Sequence, residues 1–232
     1  MKMKFGCQVT LGLRNEFEKY NSVQATETIE KTALIAEELG YDSIWLSDHF
    51  VTLQDNVPTP NQVYEALTTL TYLAGITKKI RLGNIVLCNN YRNPALLAKM
   101  TSCLDVLSRG RFELGIGAGW YEPDYTSYGY IYPEIKIRIA QLEESIQIIK
   151  KMWTEESPSF DGEYYNIKDA FCSPKPVQRP HPPIMIAGGG KMMLRLVAKY
   201  ANISNFFGAP EIYRKRLDIL DMHCEDIGRK SE

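Results

Sequence analysis

The chain has 232 residues, of which 44% are hydrophobic and 24% are charged, and its formal net charge is -1. These values are ordinary for a soluble globular protein, and they exclude nucleic acid and membrane surfaces as electrostatic partners. Five cysteines without a CxxC pair and three histidines without metal-ligand spacing predict reduced thiols, a cytoplasmic location and no metal site.

Strand and helix patterns alternate six times along the chain. Short apolar runs bounded by turn residues predict strands, and apolar residues at helical spacing predict helices. The strands are expected at Phe5–Val9, Ser43–Ser47, Ile80–Leu87, Phe112–Gly117, Ile184–Ala187 and Ile203–Phe207. The helices are expected at Thr26–Leu39, Tyr64–Ile76, Ala95–Leu107, Ile135–Trp153, between the glycines at 188–190 and Ala201, and from Pro210 to near Gly228. The first strand is expected to be buried on both faces, and Gln8 and Arg14 keep its apolar run too short for a signal peptide or membrane span.

This alternation predicts an α/β protein with a parallel sheet and helices outside it. A barrel is favoured over an open doubly wound sheet because unusual residues follow every strand and no single switch point stands out. A complete (β/α)8 TIM barrel has eight strand–helix units, so the six found here predict a barrel that is incomplete at its C-terminus. An insertion between strands four and five, residues 121–182, is expected to lie within a single domain spanning residues 1–232. The missing units predict a truncated product or a barrel covered by another chain, such as a homo-oligomer partner.

A glycine-rich stretch follows the fourth strand. The predicted strand Phe112–Gly117 ends in a glycine, and only the small residues Ala118 and Gly119 separate it from the large Trp120. Glycines at the C-terminal end of a strand allow close approach to the backbone. The stretch by itself fits a bulge or the floor of a ligand site equally well, and the rest of the chain favours the ligand.

A second glycine-rich stretch, Gly188-Gly189-Gly190, lies between an apolar strand and a helix N-terminus. Free backbone N–H groups and the helix dipole at such a position favour an anion, usually phosphate. The alternative is a plain tight turn, although a turn requires fewer than three consecutive glycines. The spacings of the dinucleotide-binding and P-loop motifs are absent.

Polar residues follow the second and third strands. His49 can exchange a proton near neutral pH, and the adjacent Asp48 is expected to orient it; the alternative is a loop cap followed by a surface histidine. The Asn89 amide is suited to hydrogen-bond a planar heterocycle, whereas Arg92 is expected to hold its loop through neighbouring carboxylates. Cys88 has no base nearby in sequence, so it is not expected to act as a nucleophile.

Aromatic residues cluster after the fourth strand and either wall an apolar pocket or pack the insertion. They are Trp120, Tyr121, Tyr125, Tyr128 and Tyr130. The substrate, a small molecule, is expected to be selected by the loops at 51–63 and 121–135. His49, the floor at 117–119 and the glycines at 188–190 are expected to open onto one mouth of a curved parallel sheet.

Several segments together resemble the luciferase-like monooxygenase superfamily, particularly its deazaflavin-dependent branch. They are Asp42–Trp45 with Asp48–Phe50, Tyr91–Lys99, Leu104–Trp120 and Pro182–Gly190. The resemblance implies a (β/α)8 barrel whose members bind reduced FMN or the deazaflavin coenzyme F-420 at the C-terminal ends of the strands.

The resemblance also implies positions for the cofactor. The ring would lie near His49, Cys88 and residues 117–120, and the phosphate would rest on the backbone at 188–190. In deazaflavin members the histidine at the position of His49 donates a proton or stabilises the charge of the ring. A non-prolyl cis peptide bond often pushes on the ring, and it is expected near Val86–Cys88.

The leading hypothesis is an oxidoreductase that moves a hydride between bound coenzyme F-420 and a small organic substrate. His49 would be the proton donor or ring stabiliser, with Asp48 as its orienter. Family members often carry asparagine at the position of Tyr121, where the residue contacts the cofactor on its phosphate side. At this position the chain departs from the family pattern. The nearest alternative is an FMN-dependent monooxygenase that uses oxygen, followed by a non-catalytic or vestigial flavin-binding barrel. A phosphosugar-type barrel enzyme comes last, because lysines and paired carboxylates are not placed at the strand ends.

Overall fold

The structure is a computed structural model and describes residues 3–53 and 59–230. The strands are β1 (Gly6–Gln8), β2 (Ser43–Leu46), β3 (Arg81–Asn84), β4 (Leu87–Cys88), β5 (Phe112–Gly117), β6 (Phe160–Asp161), β7 (Asn166–Ile167), β8 (Ile184–Ala187) and β9 (Ile203–Asn205). The helices are α1 (Ser22–Glu38), α2 (Ala66–Ile76), α3 (Pro94–Leu107), α4 (Glu122–Ser127), α5 (Ile135–Thr154), α6 (Lys191–Tyr200) and α7 (Pro210–Asp226). No helix in these two ranges combines the length and the apolar character that a bilayer crossing requires.

Seven strands form one parallel sheet in the order β1-β2-β3-β5-β8-β9, and β4 also pairs with β5. Both β3 and β4 pair with β5, so the two short strands occupy one position and the sheet has six strand positions. The six predicted strand–helix units are confirmed. The curved sheet with its outer helices is an incomplete (β/α)8 barrel. Helices α4 and α5 and the antiparallel hairpin β6–β7 form the insertion between β5 and β8. Within the described residues, β1 and β9 are the two edges of the sheet.

The third strand, predicted as one run over Ile80–Leu87, is interrupted in the structure. Gly83 lies opposite Glu113 and Leu87 lies opposite Ile116. Four residues therefore step along β3 and β4 while three step along β5, and the extra residue bulges out of the pairing. The apolar composition of the run gives no sign of this break.

The structure also corrects the predicted burial of the first strand. Its predicted burial on both faces is wrong, since Gly6 and Gln8 are exposed and Cys7 is half-buried. The strand is an edge, and its only neighbour within the described residues is β2, so a large part of its surface remains in contact with solvent.

The helix ends follow local capping rules. α1 begins at Ser22, earlier than the predicted Thr26, because Asn21 forms a capping box with Gln24. The Asn21 side chain accepts from the Gln24 amide and the Gln24 side chain accepts from the Asn21 amide, both at 3.0 Å. Asn93 followed by Pro94 is a local pattern that predicts an N-cap, and in the structure the Asn93 side-chain oxygen accepts from the backbone N–H groups of Ala95 and Leu96 at the start of α3.

The insertion is anchored to the outside of the sheet through α3. Trp153 on α5 donates its indole N–H to the carbonyl oxygen of Ala98 at 3.0 Å. The buried carboxylate of Asp105 accepts the Gln178 side-chain amide at 2.6 Å and the Val177 backbone N–H at 2.7 Å. These contacts fix α5 and the chain leading into β8, and thereby set where the insertion lies relative to the strand ends.

Candidate active site

A cavity of about 400 Å³ opens at the C-terminal ends of the parallel strands, a volume typical of small-molecule and cofactor sites. Most of the predicted site residues line it: Asp48, His49, Val86, Cys88, Gly117, Ala118, Gly119, Trp120, Tyr121, Gly188 and Gly189. The expected common mouth is confirmed for His49, residues 117–119 and the first two glycines after β8. Asn89 and Gly190 do not line the cavity.

The bare floor is required first by the packing of the protein itself. A Cβ atom on Gly115 would lie 1.8 Å from a carbonyl oxygen of β3, and one on Gly119 would lie 2.5 Å from Cys88 Sγ. Gly119 also has φ +73°, a conformation that glycine adopts without strain. A Cβ atom on Gly117 would lie 3.0 Å from Val86 Cγ2, and both residues border the cavity. Both interpretations of the glycine stretch therefore apply: backbone close-packing and the floor of a site.

A cis peptide bond lies beside this floor. It joins Ile85 and Val86, between β3 and β4, and both residues line the cavity. It falls at the N-terminal limit of the expected stretch, Val86–Cys88.

His49 is held by a carboxylate that lies 75 residues further along the chain. Its Nδ1 is 2.6 Å from Oδ2 of Asp124, which is fully buried on α4. The other oxygen of Asp124 accepts the backbone N–H groups of Phe50 at 2.8 Å and Val51 at 3.0 Å, so the carboxylate is fixed. Because a carboxylate acceptor places the proton on Nδ1, Nε2 is the nitrogen left for exchange with a ligand in the cavity.

Tyr91 completes this network. Its hydroxyl donates to Oδ2 of Asp124 at 3.0 Å. Burial raises the pKa of Tyr91, and the negative charge of Asp124 raises it further, so the phenol stays protonated and remains a donor.

Asp48 does not orient His49, which corrects the role expected from adjacency. Its carboxylate receives two hydrogen bonds from Arg92, at 2.7 and 2.9 Å, and one from the backbone N–H of Cys88 at 2.9 Å. Burial opposes the charge of Arg92, but the contacts with Asp48 and Glu65 outweigh it and raise the pKa of the guanidinium. Asp48 thus ties the end of β2 to β4, and the predicted structural role of Arg92 is confirmed.

The thiol of Cys88 faces the cavity in its protonated form. Burial is the main cause that raises the pKa of Cys88 to about 11. The thiol lies 3.0 Å from the hydroxyl of Tyr125, which is fully buried. Such a thiol packs and hydrogen-bonds but is not a nucleophile near neutral pH.

The other end of the cavity carries two features that attract anions. The first N–H groups of α6 have no intrahelical partners, and Gly190, the N-cap of the helix, has no side chain that could accept from them. Arg216 from α7 lies against the same turn, because a Cβ atom on Gly189 would be 2.3 Å from its Nε. Arg216 lines the cavity and forms no ion pair with a carboxylate in the described residues. A phosphate at this end would meet a positive environment from both.

The aromatic residues divide between the two expected roles. Trp120 and Tyr121 line the cavity, and their rings meet that of His49 edge-on at 5.8 and 5.6 Å. The others pack the insertion around Phe50 and Tyr91. Asn89 belongs to the insertion contacts as well, since its amide donates to the Tyr165 hydroxyl at 3.4 Å. Of the substrate loop expected at 51–63, residues 54–58 lie outside the described residues.

Two residues of the site escape the sequence patterns. Asp124 lies on a short helix within the insertion, where it reads as an ordinary acidic residue of a first turn. Arg216 is the last of three consecutive cations in α7. The local sequence does not distinguish Arg216 from Arg214 and Lys215. Only knowledge of which face of α7 packs against the turn after β8 would have indicated it.

The fold and the site together define the class: an α/β-barrel protein with an anion-attracting cavity at the C-terminal ends of its strands. The chain belongs to the luciferase-like monooxygenase family, whose family model matches residues 3–232. It is 38% identical over 170 residues to an F-420-dependent glucose-6-phosphate dehydrogenase of Amycolatopsis mediterranei, covering 73% of this chain and 48% of that protein. It is 32% identical over 226 residues to the enzyme of the same name from Microbacterium testaceum, covering 95% of this chain and 65% of that protein. The chain thus spans between about half and two thirds of the length of these relatives.

Solved structures share the fold. An F-420-dependent secondary alcohol dehydrogenase in complex with an F-420–acetone adduct matches with a TM-score of 0.83 and 23% identity, over 99% of this chain and 66% of that one. The oxygenating constituent of 3,6-diketocamphane monooxygenase from Pseudomonas putida, in complex with FMN, matches with a TM-score of 0.79 and 21% identity, over 100% and 65%. At these identities the likeness extends to the fold alone.

Proposed function

We propose that the chain carries the cofactor site of a deazaflavin-dependent oxidoreductase that transfers a hydride to or from a small organic substrate. The observation that carries the proposal is the arrangement of one cavity: a bare floor at residues 117–119, an anion-attracting end at Gly189 and Arg216, and His49 with Nδ1 fixed by a buried carboxylate. The F-420 dependence of the relatives with 32–38% identity supports the choice of cofactor.

The residues fit such a group. Its ring would rest on the backbone floor, where Gly117 leaves the surface free of side chains, and its phosphate would meet the first amides of α6 and the Arg216 guanidinium. The bound cofactor would supply the hydride chemistry, while the protein supplies binding, orientation and electrostatics. His49 would hold or exchange a proton at Nε2, with Asp124 and not Asp48 as its orienting partner.

An FMN-dependent monooxygenase is the second candidate, because an FMN-bound protein shares the fold and because the anion-attracting end does not distinguish the two phosphates. Fluorescence titration of the protein with F-420 and with FMN, each alone, separates the two. We expect the titrations to give a lower Kd for F-420 than for FMN. Tighter binding of FMN would transfer the proposal to the monooxygenase.

Hydride transfer requires a separate measurement. The protein is incubated with oxidised F-420 and a panel of secondary alcohols and sugar phosphates, and the loss of the oxidised absorbance is followed. We expect reduction with at least one class of substrate. Binding without turnover across the panel, with either cofactor, would indicate a non-catalytic barrel. Native mass measured with and without the cofactor tests the predicted homo-oligomer in the same preparation.

A further inference from the structure

Arg138 on α5 is a buried cation behind the cavity floor. The residue is 6% exposed, yet its guanidinium pairs with no carboxylate in residues 3–53 and 59–230. Taking a charge out of water is costly unless an opposite charge or several dipoles compensate it. The absence of a partner carboxylate makes its other neighbours informative.

Those neighbours are neutral, and one of them, Gly119, belongs to the floor. The guanidinium donates from Nη1 to the carbonyl oxygen of Gly119 and from Nε to that of Pro133, the latter at 2.9 Å. It lies over the ring of Tyr132, 4.3 Å from its centroid. The Tyr132 hydroxyl in turn donates to the carbonyl oxygen of Trp120 at 2.9 Å. The charge is therefore one peptide unit behind the cavity wall.

The field of this cation reaches groups that border the cavity. It favours the ionised form of Tyr125 and so opposes the burial that raises the pKa of that phenol. Tyr125 contacts the Cys88 thiol, which lines the cavity. Ile135, one turn before Arg138 on the same helix, lines the cavity too. A negative charge on a ligand resting on the floor would be the missing counter-charge.

We propose that Arg138 is a positioning residue that stabilises negative charge on a ring bound at the 117–119 floor. This inference rests on the proposed function. Transfer of a hydride to the ring adds two electrons and one proton, so the charge of the ring falls by one unit unless a second proton follows. Arg138 acts through the Gly119 peptide and selects the form of the reduced cofactor that has not taken up that second proton.

The test measures the Kd of oxidised F-420 by fluorescence quenching and that of reduced F-420 by competition. In Arg138→Gln, which loses the charge but keeps an amide donor, we expect the ratio of reduced to oxidised Kd to rise about tenfold, the effect of about 1.4 kcal/mol. In Arg138→Lys, which keeps the charge, we expect the ratio to stay within about threefold of the unaltered protein. Lys151→Gln, a loss of charge near the far end of the same helix, is the control and should leave the ratio unchanged.

A role limited to holding the loop predicts a different pattern. Equal changes in the ratio in the Gln and Lys variants, or an unchanged ratio in a folded Gln variant, would overturn the inference and leave the proposed function standing. If the Gln variant does not fold, the midpoint potential of F-420 bound to the unaltered protein is measured instead. We expect it to be more positive than that of free F-420, and a more negative value would overturn the inference. A protein that binds no deazaflavin would overturn the inference and the proposed function together.

Discussion

Asp124 fixes the ring of His49, and this pair sets the chemistry that the cavity offers. The 2.6 Å contact to Nδ1, the buried carboxylate and its two backbone donors leave the histidine one exchangeable nitrogen. A histidine held in this way has a defined tautomer, which a general acid or base requires.

Replacing Asp124 by asparagine tests this arrangement. An amide keeps one oxygen for the backbone donors but presents N–H to His49, so we expect the ring to populate the Nε2–H tautomer. The ¹⁵N shifts of His49 report the tautomer, and turnover should fall about a hundredfold. Tyr91→Phe is the control, because it removes one donor to Asp124 and keeps the His49 contact. An Nε2–H ring in the unaltered protein would contradict the assignment.

Arg216 provides a second test at a single residue. Arg216→Gln removes the guanidinium at the turn after β8, and we expect about tenfold weaker binding of F-420, since a hydrogen bond to a charged group contributes about 1.5 kcal/mol or more. Binding of a deazaflavin chromophore without the phosphate should not change. Arg214→Gln, exposed on the same helix, serves as the matched control. Equal losses for both ligands would place Arg216 outside the phosphate contact.

At the scale of elements, the step between β3 and β5 depends on a missing side chain. Asn84 closes β3, and its carbonyl oxygen occupies the space that a Cβ atom on Gly115 would need. The two strands are therefore locked in register where the sheet forms the cavity floor.

Gly115→Ala is expected to destabilise the protein by about 2–3 kcal/mol, because backbone must move to admit the methyl group. Urea unfolding measures the loss. The matched substitution is Gly75→Ala in α2, where a Cβ atom has nothing within 4 Å. That change should stabilise the protein by about 0.5–1 kcal/mol by favouring the helix and restricting the unfolded chain. A neutral Gly115→Ala would show that the strands can separate freely at this point.

At the scale of the whole molecule, two carboxylates join distant segments. Glu37, in the last turn of α1, accepts the backbone N–H groups of Lys78, Lys79 and Ile80 at 2.6–2.9 Å. Glu65 caps α2 and contacts Arg92, which lies just before the N-cap of α3. Burial raises the pKa of both carboxylates, but these hydrogen bonds and nearby cations outweigh it and hold each pKa below the ordinary value of 4.5.

A lowered carboxyl pKa gives stability that is present above the unfolded pKa and is lost as the pH falls through the folded one. We therefore expect the melting temperature to drop as the pH falls from about 5 to about 3. Glu37→Gln and Glu65→Gln should lower the melting temperature at neutral pH and flatten this acid dependence. Glu18→Gln, an exposed carboxylate, is the control. A melting temperature that is independent of pH in this window would contradict the role of both groups.

Much of the fold was predictable because its signals are local. The bounds of β5 and β8 are those predicted, since a buried strand is a short apolar run between turn residues. The cap at Asn93 is equally local. The break between β3 and β4 was not predictable, because it depends on register against β5 and not on the composition of Ile80–Leu87.

The site divides in the same way. By itself the sequence determined that His49 and the two glycine stretches face one opening, because the C-terminal ends of parallel strands share one edge of a sheet. Only the tertiary structure decided which carboxylate contacts His49. Asp48 is adjacent in sequence but accepts hydrogen bonds from Arg92, and the carboxylate that contacts His49 belongs to Asp124 in the insertion. Strand order follows from a repeating local pattern, whereas a contact across 75 residues depends on how the insertion packs, and no short stretch of sequence encodes that geometry.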